Sequence, residues 1–376
     1  MSNGTVATAF CVLLGFTAQA HAIDDSVTIG AIDDVTARRQ ALIQDSFGLP
    51  VLPTTQSSVT TIANPLPGLT NVARVDQYLA TESGNQTNVS NLYVAGPIAN
   101  GRMVALNPGH QGTCDWSQFY PGYNVQPLLQ GLLSAGYSVL ALNIPACGYT
   151  DQHVALFTAF GDQGMHYFHE PMIQAINYMV GHQMFSDYNI VGLSGGGWTA
   201  TTVAAIDPRI HISVEVAGSM PGVQFIPGAG AAPDHGDCAA PCFAEQNAPD
   251  YYTIAGYLDQ YIMASVGQTP AGLKRHHIQI LNYSDSCCFG VAQWDWYQNY
   301  YGMDWPTYVA GYATLIQANV LSLQPGEFTQ MIDTSATQHQ FSPNTIAYII
   351  STLDAAQPST PPPPAPPPPA PNCPAS

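Results

Sequence analysis

From residue 102 to residue 353 the chain repeats one pattern: a short, uninterrupted apolar run, then a stretch with apolar residues at helical spacing. An uninterrupted apolar run cannot turn one face to water, so a strand built from it must be covered on both sides. Covered strands alternating with helices leave one architecture, a mostly parallel sheet with helices packed on both faces. The runs at 102–107, 137–143, 188–193, 210–216, 277–282 and 328–332 each read as a strand. Two further runs, 72–80 and 88–94, read as an antiparallel opening pair, so eight strands are predicted. Helical spacing marks 126–135, 166–181, 198–206 and 345–353, the last with Ser342 suited to its N-cap and Pro343 to its first position. Between 221 and about 249 the chain becomes rich in Gly, Pro and Cys, which predicts an insertion over about 221–260 that forms a lid or pocket wall.

The two ends differ from this pattern. Residues 6–16 are apolar and lead to Ala20-His21-Ala22, which fits an A-x-A cleavage site. A signal peptide over 1–22 is expected, although its first residues carry no Lys or Arg. The apolar run is too short to span a bilayer, so membrane insertion is not expected. At the other end, prolines fill 361–364 and 366–369. Such a tract forms extended polyproline II and joins no core, so 358–376 is read as a disordered tail after a domain over 23–357. Both ends point to a secreted or periplasmic protein.

Charge narrows the partners. Lys plus Arg is 7 against 25 for Asp plus Glu, a formal net charge of −18. That balance lacks the basic footprint a nucleic acid requires and disfavours anionic membranes. The oligomeric state is not legible. Of the 8 cysteines, Cys11 falls in the signal peptide and Cys373 in the tail, leaving six for up to three disulfides. Their connectivity is not fixed by spacing. No paired C-x-x-C pattern is present, and H-E-x-x-H is absent around His166–Glu170, so no metal and no cofactor is expected.

One motif carries chemistry. Gly192-Leu193-Ser194-Gly195-Gly196 fits G-x-S-x-G, and it lies between an expected buried strand and an expected helix. That context is what a nucleophile elbow requires. Small neighbours permit a sharp turn that pushes the serine hydroxyl out at the carboxyl end of the sheet. The helix start behind it offers N–H groups to a developing negative charge. A phosphate-binding loop is the other use of a Gly-rich strand-to-helix turn. It is excluded here because no Lys follows and the G-x-G-x-x-G spacing fails.

On this motif, and on the segment GLSGGGWTATTVAAIDPRI, residues 72–353 resemble the α/β-hydrolase superfamily, near the secreted dienelactone hydrolase and acetyl xylan esterase types. The resemblance implies an α/β-hydrolase fold and a triad in the chain order Ser, Asp or Glu, His. Ser194 then takes the nucleophile's place. Among the later histidines, only His339 follows the last expected strand and precedes the last helix, where the family keeps its base. Asp285, three residues past the strand 277–282, takes the acid's place, with Asp259, Asp295 and Asp304 as rivals in aromatic or helical segments. Cys287 and Cys288 follow it, and a disulfide from one of them would clamp the acid loop. The loop Asn107-Pro108-Gly109-His110-Gln111-Gly112 stands where the family places its oxyanion loop. By position the two donors are the backbone N–H groups of His110 and Gly195, with Gln111 as the alternative to His110. Pro108 departs from the family's usual His. Trp116, Tyr120, Trp294 and Trp296 are candidates to line an acyl or sugar subsite.

The function expected from the resemblance is carboxylic ester hydrolysis through an acyl-enzyme, on a small-molecule or polymer ester. Two alternatives remain open. One is a serine peptidase of the prolyl oligopeptidase type without its propeller, since only about fifty residues separate the signal peptide from the first expected strand. The other is a non-catalytic binding protein on the same scaffold.

Overall fold

The structure, a computed structural model, describes residues 26–81, 87–110, 123–148, 150–221, 244–247, 249–293, 298 and 302–356. The expected signal peptide, the Pro-rich tail and most of the insertion lie outside the described residues. The strands are β1 (Ser58–Ile62), β2 (Val72–Thr81), β3 (Thr87–Ala95), β4 (Arg102–Asn107), β5 (Ser138–Ala141), β6 (Asp187–Leu193), β7 (Ile210–Val216), β8 (His276–Asn282) and β9 (Glu327–Asp333). They form one nine-stranded sheet in the order β1-β2-β3-β5-β4-β6-β7-β8-β9. The first three strands and the β3–β5 pair are antiparallel, and every pairing from β5 through β4 to β9 is parallel.

The sheet therefore has nine strands rather than the eight expected. The extra one, β1, is short, lies at the edge and is buried at no position, so it lacks the apolar run that marks the others. By contrast every residue of β4, β5, β6 and β7 is buried. Side chains alternate between the faces. Val104, Leu106, Val191 and Val214 pack on one side with helices α2 (Val125–Ser134) and, near the carboxyl terminus, Pro343–Ala355. Met103, Ala105 and Ile190 pack on the other with Met172 and Ile176 of His166–Gly181 and with Ala200 and Val203 of Gly195–Ile206.

The helices, in chain order, are α1 (Ile32–Phe47), α2, α3 (Thr150–Phe160), α4 (His166–Gly181), α5 (Gly195–Ile206), α6 (Pro249–Ile254), α7 (Tyr257–Ser265), α8 (Trp305–Ser322) and α9 (Pro343–Ala355). The start of α9 follows its sequence signals: Ser342 Oγ accepts a hydrogen bond from Thr345 N at 3.0 Å, with Pro343 in the first turn. Helix α1 was not legible in the sequence. It docks Val35, Leu42 and Ile43 in the cluster that holds Ala205, Ile206 and Tyr251, outside the α5 layer.

Three of the seven cations serve the interior. Arg102 starts β4 directly opposite Asp187 at the start of β6, and the two are joined at 2.6 Å in a buried pair. Arg102 also donates to Tyr137 Oη and Leu353 O. Arg275 donates to the carbonyls of Met263, Val266, Ile210 and Ala204, which includes the ends of α5 and α7. Arg39 donates to Ala205 O and Met263 O. Terminal helix carbonyls have no partner within the helix, and cationic side chains at that end both bond them and oppose the helix dipole. No helix among the described residues is long and apolar enough to cross a membrane.

Candidate active site

Strands β4, β6, β8 and β9 run parallel, so the segments leaving their carboxyl ends share one edge of the sheet. Those segments carry His110, Ser194, Asp285 and His339 respectively. Ser194 follows the last residue of β6 and has φ 58° and ψ −133°, a backbone conformation that side chains rarely adopt. The turn is held from both sides: Ser194 N donates to Val216 O at 2.9 Å, and Trp198 N donates to Ser194 O at 2.9 Å.

Glycine is required on either side of it. A Cβ on Gly192 would lie 2.0 Å from Gly196 O, and one on Gly196 would lie 2.0 Å from Asn107 O. The elbow thus touches both itself and the end of β4. Asn107 Oδ1 accepts from Gly109 N at 3.1 Å and turns the chain back over the start of α5. A Cβ on Gly109 would sit 3.0 Å from both Gly195 N and Gly196 N, and one on Gly195 would fall 2.4 Å from Cε1 of His110. The loop 107–110 is therefore stacked on the helix start. Gln111, Trp116, Tyr120, Trp294 and Trp296 lie outside the described residues.

Asp285 and His339 meet. His339 Nδ1 and Asp285 Oδ2 are 2.8 Å apart, with both residues buried. The other oxygen, Oδ1, accepts from the backbone N–H of Cys287 at 2.8 Å and of Cys288 at 3.0 Å. With both oxygens occupied, the carboxylate is fixed toward the ring. The far ring nitrogen of His339, Nε2, is buried and makes no hydrogen bond to a described residue. The sulfurs of Cys287 and Cys288 lie at disulfide distance from each other. Both sulfurs lie within 4.8 Å of a His339 ring nitrogen. Cys114, Cys238, Cys242 and Cys373 lie outside the described residues.

The rivals have structural work. Asp304 caps α8, accepting from Thr307 N at 2.9 Å. Asp259 accepts from the backbone N–H of Thr28 and Ile29 and anchors the segment before α1. Asp295 and His235 lie outside the described residues. His211 bonds Asp187 at the opposite end of the sheet, and His276 bonds Thr329 Oγ1. His277 lies against Ser213 Oγ, and burial pushes its pKa down to about 3. His169 bonds Thr202 Oγ1 and is likewise held near 3 by burial. Glu170 accepts from Gln174 within α4, in keeping with a structural role.

Sequence reasoning missed Asn282, the last residue of β8. Its Nδ2 donates to Gln340 O at 3.0 Å and reaches Gln338 O and Asp285 Oδ2 at 3.4 Å. One amide thus ties Asp285 to the loop that carries His339. A polar residue ending an apolar strand just before Asp285 was the available signal. From the other side, Asn124 Nδ2 donates to Phe341 O at 2.9 Å, and the Tyr123 ring meets His339 edge-on at 5.7 Å. Asp333, at the end of β9, accepts from Ser335, Ser342 and Thr345. Burial opposes its ionisation, but these donors outweigh it and hold the carboxyl below its ordinary range.

No protein-family model matches the sequence, and no curated protein does. Solved structures do match. A methylesterase superposes with a TM-score of 0.50 at 13% identity over 86% of this chain, which spans 62% of that protein's length. The chain has the α/β-hydrolase fold. Acetyl xylan esterase from Paenibacillus sp. R4 gives 0.49 at 13% identity, covering 91% of this chain and 99% of that one. Dienelactone hydrolase from Anabaena variabilis gives 0.40 at 13% identity, covering 80% and 97%.

Proposed function

We infer that the protein is a secreted or periplasmic serine hydrolase of carboxylic esters, with one catalytic domain over residues 23–357. The observation that carries this reading is the buried Asp285–His339 pair on the sheet edge that also bears the positive-φ Ser194. In the proposed reaction, Ser194 Oγ attacks the ester carbonyl and its proton passes to His339 Nε2. Asp285 accepts from Nδ1, which fixes the tautomer and stabilises the imidazolium that forms. The backbone N–H groups of His110 and Gly195 receive the oxyanion. Collapse of the tetrahedral intermediate expels the alcohol, protonated by His339, and leaves an acyl-enzyme. Water, deprotonated by the same histidine, releases the acid.

Several solved structures of this fold are esterases by name, which favours an ester as substrate. The net charge of −18 favours neutral over anionic esters through like-charge repulsion. The test is an organophosphonate probe on the intact protein, read by mass spectrometry beside Ser194→Ala. A single adduct on Ser194, absent from the variant, is expected, with esters cleaved faster than matched amides. Folded protein that takes no adduct at either pH 5 or pH 8 would overturn the reading.

A further inference from the structure

The reaction above uses the backbone of His110 and leaves its imidazole without a task. That ring faces a cluster the sequence did not connect. Glu245 is fully buried; its Oε1 lies 2.9 Å from His110 Nε2, and its Oε2 lies 3.3 Å from His153 Nδ1. The three residues come from the loop after β4, from α3 and from the short turn Ala244–Asn247 within the expected insertion. Candidate ligand atoms of all three fall within 4.8 Å of one another.

The tautomer of His153 gives the cluster its meaning. Its Nε2 lies 2.8 Å from Pro145 O, a carbonyl that can only accept. Nε2 therefore carries a hydrogen, and Nδ1 is the ring nitrogen turned to the buried carboxylate. A cation shared by that nitrogen and the carboxylate, a second ring proton or a metal ion, satisfies both groups. An imidazole that donates one N–H to a backbone carbonyl while offering its other nitrogen inward is the usual arrangement of a metal-bound histidine. Two imidazoles and one carboxylate suit zinc, which binds nitrogen and oxygen ligands, better than the all-oxygen sets of calcium or magnesium.

We propose that His110 Nε2, His153 Nδ1 and the Glu245 carboxylate form a binding site for a divalent transition-metal ion of the zinc class. Three protein ligands leave a coordination position open. Of the three side chains only His110 reaches solvent, at 12% exposure, so ion and water enter from its side. The surroundings hold the ligands in place. Phe168 packs edge-on against His153 at 4.9 Å. Glu245 O accepts from Tyr252 Oη, which in turn accepts from Trp198 Nε1 in the helix behind Ser194. The ion joins the expected insertion to the loop stacked on Gly195. Its expected role is to brace that loop, and the site does not depend on the ester-hydrolysis reading.

The test uses the full-length chain without an affinity tag. It is stripped with a chelator, loaded with zinc sulfate, passed through gel filtration in metal-free buffer and analysed for metal. About one zinc per chain is expected for the wild type and for Ser194→Ala. Retention at least tenfold lower is expected for Glu245→Gln and for His153→Asn, each checked for wild-type circular dichroism. Cobalt(II) alone added to stripped wild type gives a second readout that needs no variant. An intense visible band from low-coordinate cobalt, bleached by zinc, is expected. Zinc retained equally by both variants would place it elsewhere and overturn the proposal. A wild type that keeps no zinc and gives no cobalt band would also overturn it, leaving His153 as an imidazolium paired with Glu245.

Discussion

Glu215 offers a quantitative test of how the interior of the sheet is built. It lies in β7 with no exposure to solvent, and its Oε2 accepts from Ser219 Oγ at 2.6 Å and Thr201 Oγ1 at 2.7 Å. Burial raises its pKa to about 7, against the opposing pull of those hydrogen bonds. Below pH 4.5 the carboxyl is neutral in both folded and unfolded chains and costs nothing. Between about 4.5 and 7 the unfolded chain releases the proton and the folded chain keeps it, so stability falls as pH rises. Above 7 the full cost applies, about 3 kcal/mol at 1.36 kcal/mol per tenfold in acidity. Glu215→Gln removes the titration and keeps the shape. Its packing penalty does not vary with pH and cancels when the stability difference from wild type is compared at pH 4 and pH 8. Urea denaturation followed by fluorescence should show the variant gaining about 3 kcal/mol on wild type between the two. A difference that stays within about 0.5 kcal/mol would mean that Glu215 ionises at its ordinary pKa, and the reading of this core would be wrong.

Three further outcomes are expected. Asp285→Asn should retain the fold and lower kcat by roughly three to four orders of magnitude, because the ring of His339 then loses its tautomer; steady-state kinetics on an activated ester checks this, and a loss under tenfold would remove Asp285 from the site. Arg102→Met should cost about 3–5 kcal/mol in urea denaturation by leaving Asp187 charged and buried, and a cost under about 1 kcal/mol would contradict the pairing. Burial holds His169 and His277 near 3 against an ordinary 6.5, so their contribution is complete above pH 6.5 and is lost as pH falls toward 3. Denaturation midpoints should drop across that window, and His277→Asn should flatten the drop; an unchanged slope would show that His277 is protonated in the fold.

The parts that sequence made legible share one physical cause. Strands covered on both faces must be apolar throughout, so β4, β6, β7 and β8 announced themselves, and α9 announced its start through Ser342 and Pro343. Glycines around Ser194 were readable because packing leaves no room for a Cβ at 192 or 196. What escaped had no local signature. β1 is an exposed edge strand, and α1 is stabilised by the layer it covers. Asn282 acts through carbonyls 56 and 58 residues away. Glu245 meets His110 across 135 residues, and no spacing rule reaches that far. Asp285 and His339 were singled out through chain order, and the 2.8 Å between them came only with the structure.

Under the proposed function, the position of β9 bears on how activity would be lost. It is the last strand, paired among the described strands only with β8, and most of its residues are partly exposed. His339 hangs from the loop beyond it, held by Asn282 on one side and Asn124 on the other. An edge strand opens at lower free energy than the centre of a sheet. When β9 frays, His339 leaves while Ser194, set between β6 and α5 deep in the sheet, stays in place. Under the proposed reaction, warmed or mildly denatured molecules would then become silent before they unfold, and would recover as the edge closes. Catalysis in such a chain would report on the margin of the sheet, whose core can be intact when turnover has already stopped.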